Sequence, residues 1–230
     1  MKNDNIYYVL GTDTGVGKTV FCLLLMQFFS DSSPSYIKPF QTGCSDACAP
    51  DSDALFIYTH VRGFETRDPA ESVIFCFKNP KAPFFAARDE NRSVNMETVL
   101  DVIDKKARTC SAVVVEGAGG LLVPVTEDLL VVDTVKMIGA RPVVVARAGL
   151  GTINHTLLTL EAMDRRGIEP AGVVFFDSDD PATPKDMLLE NMEAVEKYSG
   201  VMVTGVVGRI DNFGSPPKEC YLPVEKLINS

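Results

Sequence analysis

The residues with the clearest chemical meaning form the stretch Gly11 to Thr19, which reads GTDTGVGKT. An apolar run, Ile6 to Leu10, precedes it, and a helical pattern, Val20 to Phe29, follows it. This order predicts a phosphate-binding loop whose backbone N–H groups and following helix N-terminus face phosphate oxygens. Lys18 would reach the terminal phosphates, and the Thr19 hydroxyl would bind Mg²⁺. The first glycine stands one residue earlier than the usual motif requires, so a glycine-rich helix entry without a ligand is the alternative.

Two short polar stretches follow, and each offers one charged side chain to such a site. In IKPFQTG, Ile37 to Gly43, Lys38 stands near the end of a short second strand and could stabilise charge on a transferring phosphoryl group. A solvated surface lysine is the alternative. In DSDAL, Asp51 to Leu55, a carboxylate could hold Mg²⁺, directly or through water. Asp51 and Ser52 could instead only cap the next helix.

A third stretch, VVVEGAGGLLVP, runs from Val113 to Pro124 and combines a carboxylate with small residues. Glu116 is expected directly after a buried strand, where it would supply a second acidic group for the metal. The small residues Gly117 to Gly120 would let a substrate approach the backbone closely. A β-turn without function is the alternative interpretation.

The fourth stretch, RAGLGTINHTLLTLEAM, runs from Arg147 to Met163 and predicts a second anion site. Gly149 and Gly151 precede a helix, and the N-terminus of a helix attracts negative charge. His155 lies in its first turns, and we interpret it as a capping or packing histidine rather than a catalyst.

Composition limits the classes of protein to consider. The net charge of −9 argues against a general nucleic-acid binder or an acidic-membrane binder. No apolar run reaches the roughly 18 residues of a membrane span. Of the six cysteines only Cys44 and Cys48 lie close together, and no second pair completes a zinc site, which favours free thiols in a reducing cytoplasm.

Strand and helix patterns alternate along the chain and predict an α/β fold. The runs AVVV, PVVVA and GVVFF suit a parallel sheet buried on both faces. We expect one domain over residues 1–230, with a mostly parallel sheet flanked by helices in three layers, as in P-loop NTPases. Ligands should gather at the carboxyl ends of the strands. Residues 60–95 are the least regular and are expected to form a lobe beside the sheet.

The motifs GTDTGVGKT, KPFQTG, DSDAL, VEGAGGLLVP and GLGTINHTLLT, in this order, resemble those of dethiobiotin synthetase. The resemblance implies a homodimeric ligase of biotin biosynthesis that binds 7,8-diaminopelargonate, CO2 and MgATP. One amine of the substrate would become a carbamate, and ATP would phosphorylate it to a carbamic-phosphoric anhydride. The second amine would then expel phosphate and close the ureido ring.

The resemblance also implies roles for individual residues. Lys18 and Lys38 would be catalytic, and Thr19, Asp53 and Glu116 would organise Mg²⁺. The nucleotide would be bound by Gly15, Val16, Gly17, Lys18, Thr19, Val20, Asp53, Glu116, Gly117, Ala118, Gly119 and Phe176. The substrate would be bound by Thr42, Gly117, Ala118, Gly119 and Gly120, and by Gly151, Thr152, Ile153 and Asn154 of a partner subunit.

Three positions depart from the family pattern, and one other class of protein shares the loop. Gly15 stands where some family members carry an acidic residue. Phe176 stands where well-known members carry an adenine-reading asparagine, and Gly208 stands where they carry proline. We therefore expect weak discrimination between nucleoside triphosphates. The alternative function is a partition-type P-loop ATPase acting as a dimerising switch. Such proteins carry an extra lysine early in the loop, and residues 11–16 contain none.

Overall fold

The fold is described by a computed structural model for residues 3–178 and 180–229. Seven strands form one sheet in the order β3-β2-β4-β1-β5-β6-β7, and all of their pairings are parallel. The strands are β1 (Ile6–Gly11), β2 (Ser35–Thr42), β3 (Val73–Phe77), β4 (Val113–Gly120), β5 (Arg141–Arg147), β6 (Gly172–Asp177) and β7 (Val203–Gly208). The predicted parallel α/β sheet is confirmed.

Helices cover both faces of the sheet because the central strands are apolar on both sides. Ile6, Tyr8 and Leu10 pack on one face, whereas Tyr7 and Val9 between them pack on the other. The helices are α1 (Lys18–Phe28), α2 (Asp53–His60), α3 (Pro83–Asp89), α4 (Met96–Thr109), α5 (Val131–Ile138), α6 (Thr152–Asp164), α7 (Lys185–Ser199) and α8 (Leu222–Ile228). Core residues of α4 to α7 lie on one face, and those of α1, α2 and α8 lie on the other. This arrangement gives the three layers that the sequence predicts.

Two expectations about local structure were wrong. The segment 60–95 forms no lobe beside the sheet, because Val73–Phe77 joins it as edge strand β3 next to β2. Glu116 does not follow a strand but lies inside β4, which continues through the small residues to Gly120. Glycine in a strand interior weakens it, and here the pairing with β1 shifts register between Val9 and Gly11.

No helix within residues 3–178 and 180–229 combines the length and apolar character that crossing a membrane requires.

Candidate nucleotide and substrate site

A cavity of about 790 Å³ opens at the carboxyl ends of the strands, where the α/β pattern predicted it. It receives residues from the glycine-rich loop, from β2 and β4, and from the ends of β6 and β7. Of the predicted site residues, twelve line it: Gly15, Gly17, Lys18, Thr19, Val20, Lys38, Thr42, Asp53, Glu116, Ala118, Gly119 and Phe176. The folded chain therefore brings both lysines, both carboxylates and the loop into one space.

The glycine-rich loop turns sharply before α1. Gly15 has a φ of +70° and Gly17 a φ of +101°, which L side chains rarely adopt. Gly17 is the N-cap residue, so α1 begins at Lys18 with its free N–H groups near the cavity. Lys18 curls back over the loop, and its Nζ donates to the backbone carbonyl of Asp13 at 2.8 Å. Burial, followed by the charge of Lys38, lowers the pKa of Lys18.

Lys38 is the centre of a compact group of charges. Its Nζ lies 2.6 Å from Asp53 Oδ2 and 2.6 Å from Glu116 Oε1. The Thr19 hydroxyl oxygen lies 2.8 Å from Glu116 Oε1 and 3.1 Å from Asp53 Oδ1. The lysine is thus a buried member of the site, since only 5% of it is exposed, and the surface-lysine alternative is wrong.

The charged side chains in this group shift one another's pKa values. Burial acts to lower the pKa of Lys38, but the carboxylates of Glu116 and Asp53 outweigh burial and raise it. Burial likewise acts to raise the pKa of Asp53, but the Lys38 ammonium prevails and lowers it. Lys38 is therefore charged, and Asp53 ionised, throughout the neutral range. Two cations and two carboxylates balance locally in a chain whose net charge is −9.

The oxygens of Thr19, Asp53 and Glu116 suit a magnesium ion that is also held by phosphates. All three converge at one point, and a hydroxyl with carboxylates is the donor set that Mg²⁺ prefers. No group of three or more histidine, cysteine or acidic residues that could hold a metal occurs in the described part of the chain. This donor set therefore fits a shared site, because Mg²⁺ usually keeps waters and substrate phosphates as ligands.

Asp53 reaches the site from the first turn of α2. Ser52 is the N-cap residue, and its side chain accepts a hydrogen bond from the Leu55 N–H at 3.4 Å. The Asp53 N–H donates to Gln41 Oε1 at 3.3 Å, which ties this turn to β2. Ser52 alone provides the cap, and Asp53 rather than Asp51 places its carboxylate at the cavity.

Phe176 lies beneath the loop and borders the cavity, with only 7% of it exposed. Its ring packs edge-on against Phe21 of α1, with centroids 6.4 Å apart. A Cβ placed on Gly17 would lie 2.6 Å from Phe176 Cγ, so ring and loop are in direct contact. Phe176 therefore belongs to the core and also contacts the glycine-rich loop.

Seven predicted binding residues do not line the main cavity. Val16, Gly151 and Thr152 line a second cavity of about 100 Å³ with Arg147 and His155. Gly117 faces β1, since a Cβ there would lie 3.1 Å from Tyr8. The remaining three, which line neither cavity, are Gly120, Ile153 and Asn154.

Sequence reasoning missed the wall formed by the loop between β3 and α3. Pro80, Lys81, Ala82 and Pro83 line the cavity there. The signal was present, because a proline-rich turn follows the apolar run Val73–Phe77 at the same edge of the sheet. Gly208, which the sequence singled out as a departure from the family pattern, also lines the cavity. Other cavity residues that the sequence did not single out are Thr14, Phe40, Gln41, Val123, Ser178, Arg209, Ile210 and Phe213.

Comparison with known structures supports the fold. The chain is similar to the structure of apo McdA from Cyanthece, with a TM-score of 0.60, 12% identity and 98% coverage of both chains. It is also similar to the MinC:MinD cell division protein complex of Aquifex aeolicus, with a TM-score of 0.54, 11% identity, 98% coverage of this chain and 93% of that chain. At these identities the likeness shows the fold alone.

Comparison of sequences is more specific. Residues 5–216 match the family model described as an AAA domain. The chain is 42% identical over 183 residues to the ATP-dependent dethiobiotin synthetase BioD of Anaeromyxobacter sp. (strain K), covering 77% of this chain and 80% of that protein. It is 35% identical over 208 residues to the BioD of Bacillus subtilis (strain 168), covering 90% and 88%. With these relatives and the cavity described above, the chain belongs to the family of ATP-dependent dethiobiotin synthetases.

Proposed function

We propose that this chain is an enzyme that closes the ureido ring of dethiobiotin from 7,8-diaminopelargonate, CO2 and MgATP. The observation that carries the proposal is the group formed by Lys18, Thr19, Lys38, Asp53 and Glu116 around one cavity beside a phosphate-binding loop. Such a group neutralises charge on a phosphoryl group in transfer. Family membership supports ATP-dependent dethiobiotin synthesis.

The proposed reaction needs no covalent intermediate on the protein. A substrate amine adds to CO2 and loses a proton, which gives a carbamate. A carbamate oxygen attacks the γ-phosphorus, and ADP leaves, so a carbamic-phosphoric anhydride forms. The second amine attacks the carbamoyl carbon and expels phosphate, which closes the ring. Positioning and charge neutralisation supply most of the catalysis, because little covalent help is available to phosphoryl transfer.

Each lysine has a separate part in this proposal. The N–H groups of Gly15 to Thr19 bind the phosphates, and Lys18 exchanges its backbone partner for a phosphate oxygen. Lys38 faces the carbamate and the transferring phosphoryl group. Thr19, Asp53 and Glu116 would hold Mg²⁺, which would supply charge neutralisation at the phosphates. The Asp53 and Glu116 carboxylates would then interact with both the metal and Lys38.

The diamine end of the substrate is proposed to lie between β2 and β4. Thr42 and the backbone from Gly117 to Gly120 would hold it, and Ala118 and Gly119 line the cavity there. Because the substrate carboxylate is far from the amines, it needs a separate anion site. Gly151 to Asn154 at the start of α6 would supply one, and we propose that this site lies on a partner subunit.

We also propose that residues 1–230 form one domain and that the enzyme is cytoplasmic.

A homodimer is supported by apolar side chains around α6. Leu150 is 94% exposed and Leu158 is 56% exposed. We expect sedimentation analysis to give twice the chain mass, and Leu158→Asp to shift the protein toward monomer, because a charge would be buried in the interface. Full activity of a monomer at low concentration would contradict the shared site.

The function is tested by supplying the folded protein with 7,8-diaminopelargonate, bicarbonate and MgATP. We expect dethiobiotin to form, as measured by mass spectrometry, and ADP to form only when both the diamine and bicarbonate are present. If no dethiobiotin forms above background with any of several nucleotides, the assignment is refuted. ATP hydrolysis at the same rate with and without the diamine would instead favour the partition-type switch.

Base selectivity is expected to be weak. Phe176 offers a nucleobase neither a hydrogen-bond donor nor an acceptor, and its ring packs against Gly17 and Phe21. Affinity should come mainly from the triphosphate, the metal and the loop. We expect kcat/KM with CTP, GTP or UTP to lie within roughly tenfold of the ATP value, a gap of about 1.4 kcal/mol. A preference for ATP above about a thousandfold would show that other groups read adenine.

A further inference from the structure

Tyr36 is a buried polar residue of the site that the reaction described above does not use. It lies on β2, only 1% of it is exposed, and its hydroxyl donates to Glu116 Oε2 at 2.8 Å. The phenol is the donor in this contact, because a carboxylate only accepts hydrogen bonds.

The register of the sheet explains how a tyrosine reaches this carboxylate. Tyr36 pairs with Val114 across the parallel ladder between β2 and β4. Lys38 lies two positions beyond Tyr36, and Glu116 lies two positions beyond Val114. Because side chains alternate along a strand, all four side chains lie on the same face of the sheet.

The two oxygens of Glu116 have different partners. Oε1 is contacted by the Lys38 ammonium at 2.6 Å and by the Thr19 hydroxyl at 2.8 Å, both of which line the cavity. Oε2 accepts from Tyr36, which does not line the cavity. When one carboxylate oxygen is held by a hydrogen bond on the side away from the cavity, the group can rotate only slightly. The other oxygen therefore stays directed at the site.

We propose that Tyr36 is a positioning residue that fixes the Glu116 carboxylate for the metal and for Lys38. This inference rests on the proposed function, because it assigns Glu116 to the metal–nucleotide complex. Residues that orient a metal ligand from outside the ligand shell usually change metal affinity by about 10- to 100-fold when they are lost. The effect of Tyr36 should therefore appear in metal affinity.

The test measures Mn²⁺ binding to the protein with saturating ADP, using the electron paramagnetic resonance signal of free Mn²⁺, and a titration without protein corrects for the Mn²⁺ that ADP binds in solution. Tyr36→Phe removes only the hydroxyl, and we expect it to raise the Kd for Mn²⁺ about tenfold. Tyr8→Phe is the control, because the Tyr8 hydroxyl is equally buried but bonds to Thr134 at 2.9 Å, with no carboxylate. The Kd of Tyr8→Phe for Mn²⁺ should stay within about twofold of the Kd of the unaltered chain.

A second pair of variants tests whether the hydroxyl acts through the carboxylate. Glu116→Gln should weaken Mn²⁺ binding, and adding Tyr36→Phe should weaken it by less than about twofold more, because coupled residues are not additive. An equal Kd for Tyr36→Phe and the unaltered chain, or a full tenfold further loss in the Glu116→Gln background, would overturn the proposal. Circular dichroism checks folding, and if Tyr36→Phe is destabilised, all variants are compared at a lower temperature at which it is folded.

The assay also separates this inference from the proposed function. Binding of Mn²⁺ with ADP needs neither the diamine nor bicarbonate. A chain that forms no dethiobiotin but shows the Tyr36 effect would overturn only the assigned reaction. No ADP-dependent binding of Mn²⁺ by the unaltered chain would overturn both.

Discussion

Replacing either Lys18 or Lys38 with alanine is expected to lower kcat by at least about a hundredfold. Both cations are buried and already placed where charge develops, and loss of one such group costs about 2.7–4 kcal/mol of transition-state stabilisation. Steady-state kinetics at saturating diamine, bicarbonate and MgATP measures the effect. Lys136→Ala, which removes an exposed lysine from α5, is the control and should leave kcat unchanged.

The two lysine variants should differ in stability. Lys38→Ala leaves the Asp53 and Glu116 carboxylates without the cation that lies 2.6 Å from each, so its thermal midpoint should fall. Lys18 donates to a backbone carbonyl, so Lys18→Ala should cost less stability. Both should remain folded at 25 °C. Near-full activity of either variant at saturating substrate would mean that its assigned role is wrong.

Replacing Gly17 with alanine is expected to lower the free energy of unfolding by about 3 kcal/mol, the sum of two costs. The φ of +101° is unfavourable for any residue with a Cβ, at roughly 1–2 kcal/mol. The new Cβ would also lie 2.6 Å from Phe176 Cγ, and overpacking of this kind typically costs about 1–3 kcal/mol. The ring packs edge-on against Phe21 of α1, which restricts its movement on that side. Urea denaturation measures the loss.

Gly63 provides the control for this prediction. It has a φ of +84°, but a Cβ added there would meet nothing within 4 Å. Gly63→Ala should therefore show only the conformational cost, roughly 1–2 kcal/mol. Gly17→Ala should also weaken ADP binding, whereas Gly63→Ala should not, since only Gly17 belongs to the loop. Equal losses of stability in the two variants would contradict the contact with Phe176.

The sequence by itself determined the elements whose signals are local. The glycine-rich loop between an apolar run and a helical pattern predicted β1, the turn and α1, and β-branched runs predicted the central parallel strands. The order of five short motifs indicated the family, and sequence comparison confirms it. These features depend on neighbouring residues, so a single sequence contains them.

Only the tertiary structure decided which residues meet. Lys38 contacts Glu116 across 78 positions of sequence, and Thr19 contacts Glu116 across 97. The sequence named all three, but no periodicity specifies such distant pairs. Tyr36 was overlooked for the same reason. The strand pattern is the same whether a tyrosine only packs in the core or also donates its hydroxyl to Glu116.

Strand ends and edges were also decided by tertiary pairing. The glycines after Glu116 indicated a turn, yet pairing with β1 carries β4 through to Gly120. Val73–Phe77 is an apolar, strand-like run, and its pairing with β2 decides that it is the edge strand of this sheet. Hydrogen bonds to a neighbouring strand can outweigh weak intrinsic preference, because strand propensity depends largely on context. The loop that completes the cavity wall could be placed only once that edge strand was known.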